Sequence, residues 1–249
     1  MADGVLYVAC GDRYVEAAAA SARSVRAVMP GVPIALGTDG PAPDGFDQVV
    51  PVAEPDGYRA KIRGMLASPF DRTLALDADT YAAADVSEAF GVLDEFDVAA
   101  AHAPNRVTLD LDDVPDSFPE LNTGVIAFRR NERVQRLLEA WLEEYDRLAP
   151  QKPPSKDQPS FRRALYRADV RPAVLPPEFN LRFWMAGFHN QPVRILHGWA
   201  DADTYARVAA LLNERATSRR HRAVFAGRTL LDERAEVVGR FPERPERPS

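Results

Sequence analysis

The chain has 249 residues, of which 46% are hydrophobic and 27% are charged, and this balance excludes a disordered chain because a sizeable core can form. Its 37 acidic and 31 basic residues give a formal net charge of −6, which argues against a dedicated nucleic-acid-binding protein. The single cysteine, Cys10, excludes an internal disulfide and a thiolate metal cluster.

The sequence predicts neither a membrane span nor a secretory leader. No uninterrupted apolar stretch approaches the length of about 18 residues that a transmembrane helix needs. The first ten residues lack both a basic start and a cleavable apolar region, so they do not form a signal peptide. We therefore expect a cytoplasmic protein without a transmembrane segment.

The first part of the chain alternates short apolar runs with helical stripes. Strands are predicted at residues 5–10, 33–37, 48–52 and 72–76, and helices between them at 15–29 and 58–66, where apolar residues recur at the helical period. This alternation favours an α/β fold with a mixed but mostly parallel sheet flanked by helices. In such folds, ligands bind beyond the carboxyl ends of the strands.

The second part continues the same pattern. Strands are predicted at residues 97–101, 124–128 and 193–196, and Asn131 is placed to cap a long amphipathic helix. Shorter helices are predicted at 160–167 and 203–212. We expect one folded domain over residues 1–239, followed by a charged, proline-rich tail at 240–249 that is predicted to be disordered.

The most informative segment is the acidic pair Asp77-Ala78-Asp79, which directly follows a predicted buried strand. Strand side chains two positions apart point to the same face. Two carboxylates held together repel each other unless a cation lies between them, and Mg²⁺ or Mn²⁺ with additional phosphate oxygens would suit such a pair. The alternative interpretation is a solvated acidic turn.

One enzyme class with such a pair is the haloacid-dehalogenase-like phosphatases, whose motif is D-x-D-x-T. In that interpretation Asp77 would be the nucleophile and Asp79 the acid/base. The threonine, Thr80, comes one position early here. That motif normally ends the first strand of its fold, whereas three predicted strands precede it in this chain, so the phosphatase is the alternative rather than the main prediction.

A second resemblance rests on several segments that occur in order over most of the chain. They are an opening strand followed by Tyr14, Lys61 in the helix before the acidic pair, the pair itself, Leu121-Asn122-Thr123-Gly124-Val125, Asp157-Gln158, Pro177-Glu178-Phe179-Asn180 and His197-Gly198. Their order resembles that of the glycogenin-like glycosyltransferases, family 8 and its relatives. The resemblance implies a single GT-A-like domain, the fold of enzymes that use nucleotide-diphosphate sugars.

The resemblance also implies a function, namely metal-dependent glycosyl transfer of the hexosyltransferase type. The donor would be a nucleotide sugar, a UDP-sugar in the first instance, and the configuration would be retained. The acceptor is unidentified and is a glycan, a lipid, a small molecule or a protein. The metal, Mn²⁺ or Mg²⁺, would be held by Asp77, Asp79 and His197, since carboxylates and neutral imidazole are acceptable ligands for Mn²⁺.

Further residues are candidates for the donor site. Tyr14 would stack on the base, Lys61 and Ala78 would contact the nucleotide, and Asp39 is placed to hydrogen-bond a base or ribose. The catalytic candidates are Asn122, Gln158 and Asp157. Four of these residues, and also His197, have a purely structural interpretation: Asn122 and Asp39 as turn residues, Asp157 as a helix cap, Tyr14 as a surface tyrosine and His197 as a hydrogen-bonded histidine.

The chain departs from the family pattern after the late histidine. The family continues H-x-x-G-x-x-K-P-W, and its lysine holds the diphosphate, whereas this chain continues His-Gly-Trp-Ala-Asp-Ala-Asp. Lys61 or one of the arginines would have to neutralise the leaving diphosphate. A GT-A-like binding protein without turnover therefore remains an alternative to the enzyme.

Overall fold

The computed structural model describes residues 2–148, 156–213, 222–225, 229–231 and 237–243. Its strands are β1 (Asp3–Val8), β2 (Ile34–Thr38), β3 (Gln48–Pro51), β4 (Arg72–Leu76), β5 (Thr80–Ala82), β6 (Val98–His102), β7 (Leu121–Arg129), β8 (Pro172–Leu175), β9 (Gly187–His189), β10 (Ile195–His197), β11 (Arg222–Phe225), β12 (Thr229–Leu231) and β13 (Val237–Arg240). Its helices are α1 (Asp12–Val28), α2 (Tyr58–Leu66), α3 (Glu88–Val92), α4 (Glu132–Leu148), α5 (Gln158–Arg167), α6 (Ala202–Asn213) and a short 3-10 helix, Pro177–Phe179.

Seven strands form the central sheet in the order β3-β2-β1-β4-β7-β6-β8. The pairs among β1, β2, β3 and β4 are parallel, and so is the pair of β6 with β8. Only β7 runs against its neighbours β4 and β6. The predicted α/β class, with a mixed and mostly parallel sheet flanked by helices, is confirmed.

The core lies on both faces of this sheet, because alternate residues of a strand point to opposite sides. Val5 and Tyr7 of β1 pack in the same cluster as Val25 of α1. Leu6, between them, packs on the other face in a cluster that contains the fully buried Trp141 of α4. The helical stripes predicted from apolar spacing therefore cover the sheet on each side.

A smaller part of the fold is built from the second half of the chain. The strand β10 pairs antiparallel with β5, and β9, β11, β12 and β13 form a separate four-stranded sheet. A third apolar cluster beside them includes Leu181, Phe183, Val208 and Phe241. Residues 244–249 of the predicted tail lie outside the described residues, whereas Arg240 ends β13 and Phe241 is buried.

The predicted and observed bounds of one central strand differ. The strand predicted at 124–128 begins three residues earlier, at Leu121, so that Asn122 belongs to β7. The predicted cap of α4 is confirmed, since the Asn131 side-chain oxygen accepts a hydrogen bond from the Val134 amide at 2.9 Å. Within the part of the chain that the structure describes, no helix is both long and apolar enough to cross a membrane.

Candidate active site

A cleft of about 540 Å³ opens at the carboxyl end of the parallel strands. Its walls include residues that directly follow β1 and β4, the start of the reversed strand β7 and the end of β10. This is the edge at which α/β sheets gather ligands. The predicted residues in its lining are Tyr14, Lys61, Asp77, Ala78, Asp79, Asn122, Asp157, Gln158 and His197.

Asp77, Asp79 and His197, which we call the three-ligand group, converge in this cleft. The Nε2 atom of His197 lies 3.3 Å from Asp79 Oδ1 and 3.9 Å from Asp77 Oδ2. One potential ligand atom from each residue lies within 4.8 Å of the others. Two carboxylates and an imidazole at this separation suit a hard divalent cation such as Mn²⁺ or Mg²⁺.

The pairing of β5 with β10 brings the histidine to the acidic pair. His197 is opposite Thr80 in this ladder, and the Gly198 amide donates to the Asp79 carbonyl at 2.9 Å. The imidazole packs directly on Gly124, where a Cβ atom would come within 2.0 Å of His197 Cε1. Only glycine at position 124 therefore leaves room for the imidazole.

A chain of amide hydrogen bonds sets the tautomer of His197. The Asn180 side chain donates to Asn122 Oδ1 at 2.8 Å, so its own Oδ1 is the acceptor that faces His197 Nδ1, also at 2.8 Å. In its neutral form, His197 therefore carries its proton on Nδ1 and turns the Nε2 lone pair toward the carboxylates. This is the tautomer that a metal ligand requires.

Arg182 completes this corner of the cleft, and no pattern in the sequence predicted it. Its guanidinium donates to His197 Nε2 at 3.1 Å. Burial alone would raise the pKa of Asp79, but a positively charged His197 and the charge of Arg182 outweigh it and lower that pKa to about 2. Asp79 is therefore ionised at neutral pH.

Lys61 joins the acidic pair to the start of α5. Its Nζ atom lies 2.7 Å from Asp77 Oδ1 and 3.1 Å from Asp157 Oδ2. Burial of Lys61 would lower its pKa, but the charges of Asp157 and Asp77 outweigh this effect and hold the pKa above its usual value. Lys61 is thus a fixed cation whose charge is already shared between two carboxylates.

Asp157 occupies the position before α5 without capping it through its side chain. Its carboxylate is directed to Lys61, and the side chain is only 5% exposed. Its main-chain carbonyl accepts from Ser160 Oγ at 2.7 Å and from the Trp141 indole at 3.1 Å. The helix-cap interpretation is therefore wrong for the carboxylate, and this backbone is held firmly at the cleft wall.

Asn122 and Gln158 are hydrogen-bonded to each other, with Asn122 Nδ2 donating to Gln158 Oε1 at 2.7 Å. Gln158 Nε2 points to the fully buried Glu120, at 3.4 Å from its Oε2. Glu120 also accepts from the amide and the hydroxyl of Thr108 at 2.9 and 2.8 Å. Glu120 was not predicted from the sequence. Because its carboxylate can only accept, it determines that the Gln158 amide nitrogen faces it and that the amide oxygen faces Asn122.

Two aromatic rings, those of Tyr14 and Trp199, also line the cleft. Tyr14, which is 48% exposed, meets Trp199 edge-on with ring centroids 5.9 Å apart. The Arg13 guanidinium lies over both rings, at 5.5 and 5.1 Å from their centroids. Trp199 was missed, although it directly follows His197-Gly198.

Asp39 is the one predicted binding residue that the structure does not bring into the cleft lining. It is exposed, and its Oδ1 accepts from the Gly11 amide at 3.1 Å. Gly11 precedes α1 with a φ of 78°, a left-handed conformation that favours glycine. Asp39 therefore holds the turn between β1 and α1 in place, which is a structural role.

No protein-family model matches the sequence, and no curated protein matches it. Solved structures do match in fold. A complex of the galactosyltransferase LgtC with donor and acceptor sugar analogues is 16% identical with a TM-score of 0.57, over 87% of this chain and 94% of that one. An active-site glutamine-to-glutamate mutant of LgtC is 14% identical with a TM-score of 0.55, over the same shares.

The glycosyltransferase GlyE of Streptococcus pneumoniae TIGR4 is 14% identical with a TM-score of 0.60, over 80% of this chain and 55% of GlyE. This chain thus spans about half the length of GlyE. The chain has the GT-A-like glycosyltransferase fold, as the sequence predicted. The narrower resemblance to family 8 stays a prediction.

Proposed function

We propose that this chain is a metal-dependent glycosyltransferase that moves a sugar from a nucleotide-diphosphate sugar to an acceptor hydroxyl. The observation that carries the proposal is the convergence of Asp77, Asp79 and His197 within 4.8 Å, at the ligand-binding edge of a GT-A-like fold. A mixed carboxylate and imidazole group that lies open to a cleft is suited to a metal that also takes substrate oxygens.

The three-ligand group would hold Mn²⁺ or Mg²⁺, which supplies Lewis-acid stabilisation of the negative charge on a departing diphosphate. His197 has the protonation that this role needs, because Asn180 accepts its Nδ1 proton. Lys61 orients Asp77 through a 2.7 Å ion pair. These contacts pre-form the site before any ligand arrives.

In the proposed reaction, the bond between the anomeric carbon and the diphosphate oxygen breaks, and its electron pair stays on that oxygen. The acceptor oxygen forms the new bond to the same carbon, and its proton passes to the departing diphosphate. Positive charge develops on the sugar as the first bond breaks. The carboxylate of Asp157 and the carbonyl of Gln158, beside Asn122, are the groups that would stabilise this charge.

The aromatic pair Tyr14 and Trp199 would take the nucleotide base, because an exposed ring at the cleft wall offers a stacking surface. We propose UDP as the nucleotide, a hexose as the sugar and retention as the stereochemical outcome, all on the sequence resemblance. The structure of the galactosyltransferase LgtC in complex with donor and acceptor sugar analogues supports a sugar-nucleotide site in this fold.

Calorimetric titration of the full chain with UDP, with and without Mn²⁺, tests the proposal. We expect UDP binding that requires the metal, and slow hydrolysis of UDP-sugars that chelation of the metal abolishes. GDP and CDP serve as matched nucleotide controls. Metal-dependent UDP binding without any donor hydrolysis would support the binding-protein alternative, and turnover of phosphate esters without UDP binding would support the phosphatase.

A further inference from the structure

Among the described residues, three basic side chains line the cleft: Lys61, Lys156 and Arg182. Lys61 is already shared between two carboxylates, and its side chain is only 13% exposed. Lys156 is exposed at the rim. Arg182 is half-buried and, within the described ranges, forms an ion pair with no carboxylate. The one hydrogen bond of its side chain within those ranges goes to His197.

The position of Arg182 is fixed through its backbone. Its neighbours Leu181 and Phe183 are both buried in the third apolar cluster. The Leu181 carbonyl accepts a hydrogen bond from the His197 amide at 2.9 Å. The Arg182 side chain therefore leaves a rigid segment next to the three-ligand group, and only its own rotation is needed to change the place of its charge.

The guanidinium now occupies the lone pair that a metal would use. It donates to His197 Nε2 at 3.1 Å, and that same atom lies 3.3 Å from Asp79 Oδ1. A metal bound to Nε2 would replace this hydrogen bond, and the displaced guanidinium would stay beside the metal. The ligands expected on the open side of that metal are diphosphate oxygens, which a guanidinium binds well through paired N–H donors.

We propose that Arg182 binds the diphosphate of the donor when metal is present, and holds the His197 lone pair when it is absent. This inference rests on the proposed function and names the cation that replaces the lysine missing after His197. The positive charge that neutralises the diphosphate would then come from the segment before β9 rather than from the segment after β10.

The proposal predicts effects of opposite sign in one variant. Arg182→Gln removes a competitor for His197 Nε2 and a positive charge near the metal, so Mn²⁺ should bind several-fold more tightly without nucleotide. The same variant loses charge-assisted hydrogen bonds to the diphosphate, so UDP should bind about 10- to 100-fold more weakly at saturating Mn²⁺. A residue that only supports the fold would weaken both.

The experiment titrates the full chain first with MnCl₂ alone and then with UDP at saturating Mn²⁺. Lys156→Gln is the matched control, since it removes from the same cleft an exposed positive charge that is not hydrogen-bonded to His197, and it should change neither affinity more than about threefold. Arg182→Lys keeps the charge and should recover part of the UDP affinity. Thermal unfolding of each variant reports whether it is folded.

Two results would contradict the proposed role of Arg182, and they differ in what they imply for the proposed function. If the unaltered chain binds UDP with Mn²⁺ and Arg182→Gln and Arg182→Lys bind it equally well, or if Lys156→Gln shows the loss instead, the role of Arg182 is refuted while the proposed function stands. If the unaltered chain binds no UDP in the presence of Mn²⁺, the proposed function fails and this inference fails with it.

Discussion

Acidic side chains lie at both ends of the central sheet, and they differ in how many hydrogen-bond donors the chain supplies to them. At the amino end of β6, the fully buried Asp97 accepts hydrogen bonds from Arg129 Nε, Asn131 Nδ2 and the Arg171 amide, each at 2.9 Å. We call these four residues the Asp97 cluster. Every one of its donors comes from the chain itself.

The three-ligand group is the opposite case. Asp77 and Asp79 stand on the same side of a turn, face a common imidazole and are open to the cleft. Like charges brought together without enough internal donors are costly for an isolated protein. A buried carboxylate whose hydrogen-bond donors all come from the chain stabilises the fold, whereas converging carboxylates at a cleft indicate a ligand-binding site. Asp157 lies between these cases, because it is buried and paired with Lys61, yet it lines the cleft.

The largest effect should come from the saturated cluster. Asp97→Ala leaves Arg129 and two other donors without their buried acceptor, and breaking a buried ion pair in this way costs about 3–5 kcal/mol. We expect the free energy of unfolding in urea to fall by that amount while UDP affinity at 10 °C, where the variant remains folded, is unchanged. An unchanged free energy of unfolding would show that the Asp97 cluster does not stabilise the fold.

Asp157→Asn tests the intermediate case. If the carboxylate stabilises charge at the reacting carbon, donor hydrolysis should fall by roughly 10²–10³-fold. UDP affinity should change little, because that interaction strengthens only in the transition state. Asp169→Asn, at a side chain that is 91% exposed, is the matched control. Hydrolysis at the rate of the unaltered chain would remove Asp157 from the catalytic residues.

Asp79→Asn tests whether the three-ligand group binds a metal. Loss of one charged ligand should weaken Mn²⁺-dependent UDP binding on the order of 100-fold, a free-energy change of about 2.7 kcal/mol. The free energy of unfolding should fall by less than this, because the charged Asp79 is stabilised by its neighbours while the variant relieves repulsion between Asp77 and Asp79. Calorimetry and urea unfolding on the same sample measure both, and a loss confined to stability contradicts the assignment.

The smallest effect is a pH dependence of stability from the Asp97 cluster. Burial alone would raise the pKa of Asp97, but the hydrogen bonds from Arg171, Arg129 and Asn131 outweigh it and hold that pKa below its usual range. A lowered pKa in the folded state stabilises the protein above the unfolded pKa of about 4, and this contribution is lost as pH falls through the folded value.

This dependence is measured as the difference in unfolding free energy between the unaltered chain and Asp97→Asn. The difference should be constant from pH 7 to about 5 and should shrink as the pH falls below about 4. Using the variant as reference cancels the titration of the other carboxylates. A difference that is the same at pH 7 and pH 3 would show that Asp97 does not titrate on unfolding.

The same contrast explains what could be predicted from the sequence. The apolar spacing identified the longer helices and the parallel strands other than β8, because these elements bury a whole face. The five-residue helix α3 and the four-residue strand β8 were not predicted. The acidic pair was visible because both carboxylates follow one strand at a spacing of two. His197 was found through family resemblance, since the β5–β10 ladder that delivers it has three residues per strand and no alternation of its own.

Other residues had no local signal. Glu120 and Arg182 carry charges that sequence patterns assign to the surface, and only tertiary contacts with Gln158 and His197 give them a place in the site. Asp39 is a different case, because it lies outside the cleft lining and accepts a hydrogen bond from Gly11, while its role toward a base or ribose stays a prediction. Residue type predicted the chemistry, but long-range contacts decided which residues take part.

The ladder between β5 and β10 also bears on the order of assembly. It joins residues far apart in the chain through three residue pairs, so its closure carries a large entropic cost for few contacts. A divalent ion held by both strands would fasten this junction, since a ligand that binds only the closed form lowers the population of open forms. Amide hydrogen exchange in β10 and α6 should therefore slow when Mn²⁺ is added, while β1 and β4 exchange as before.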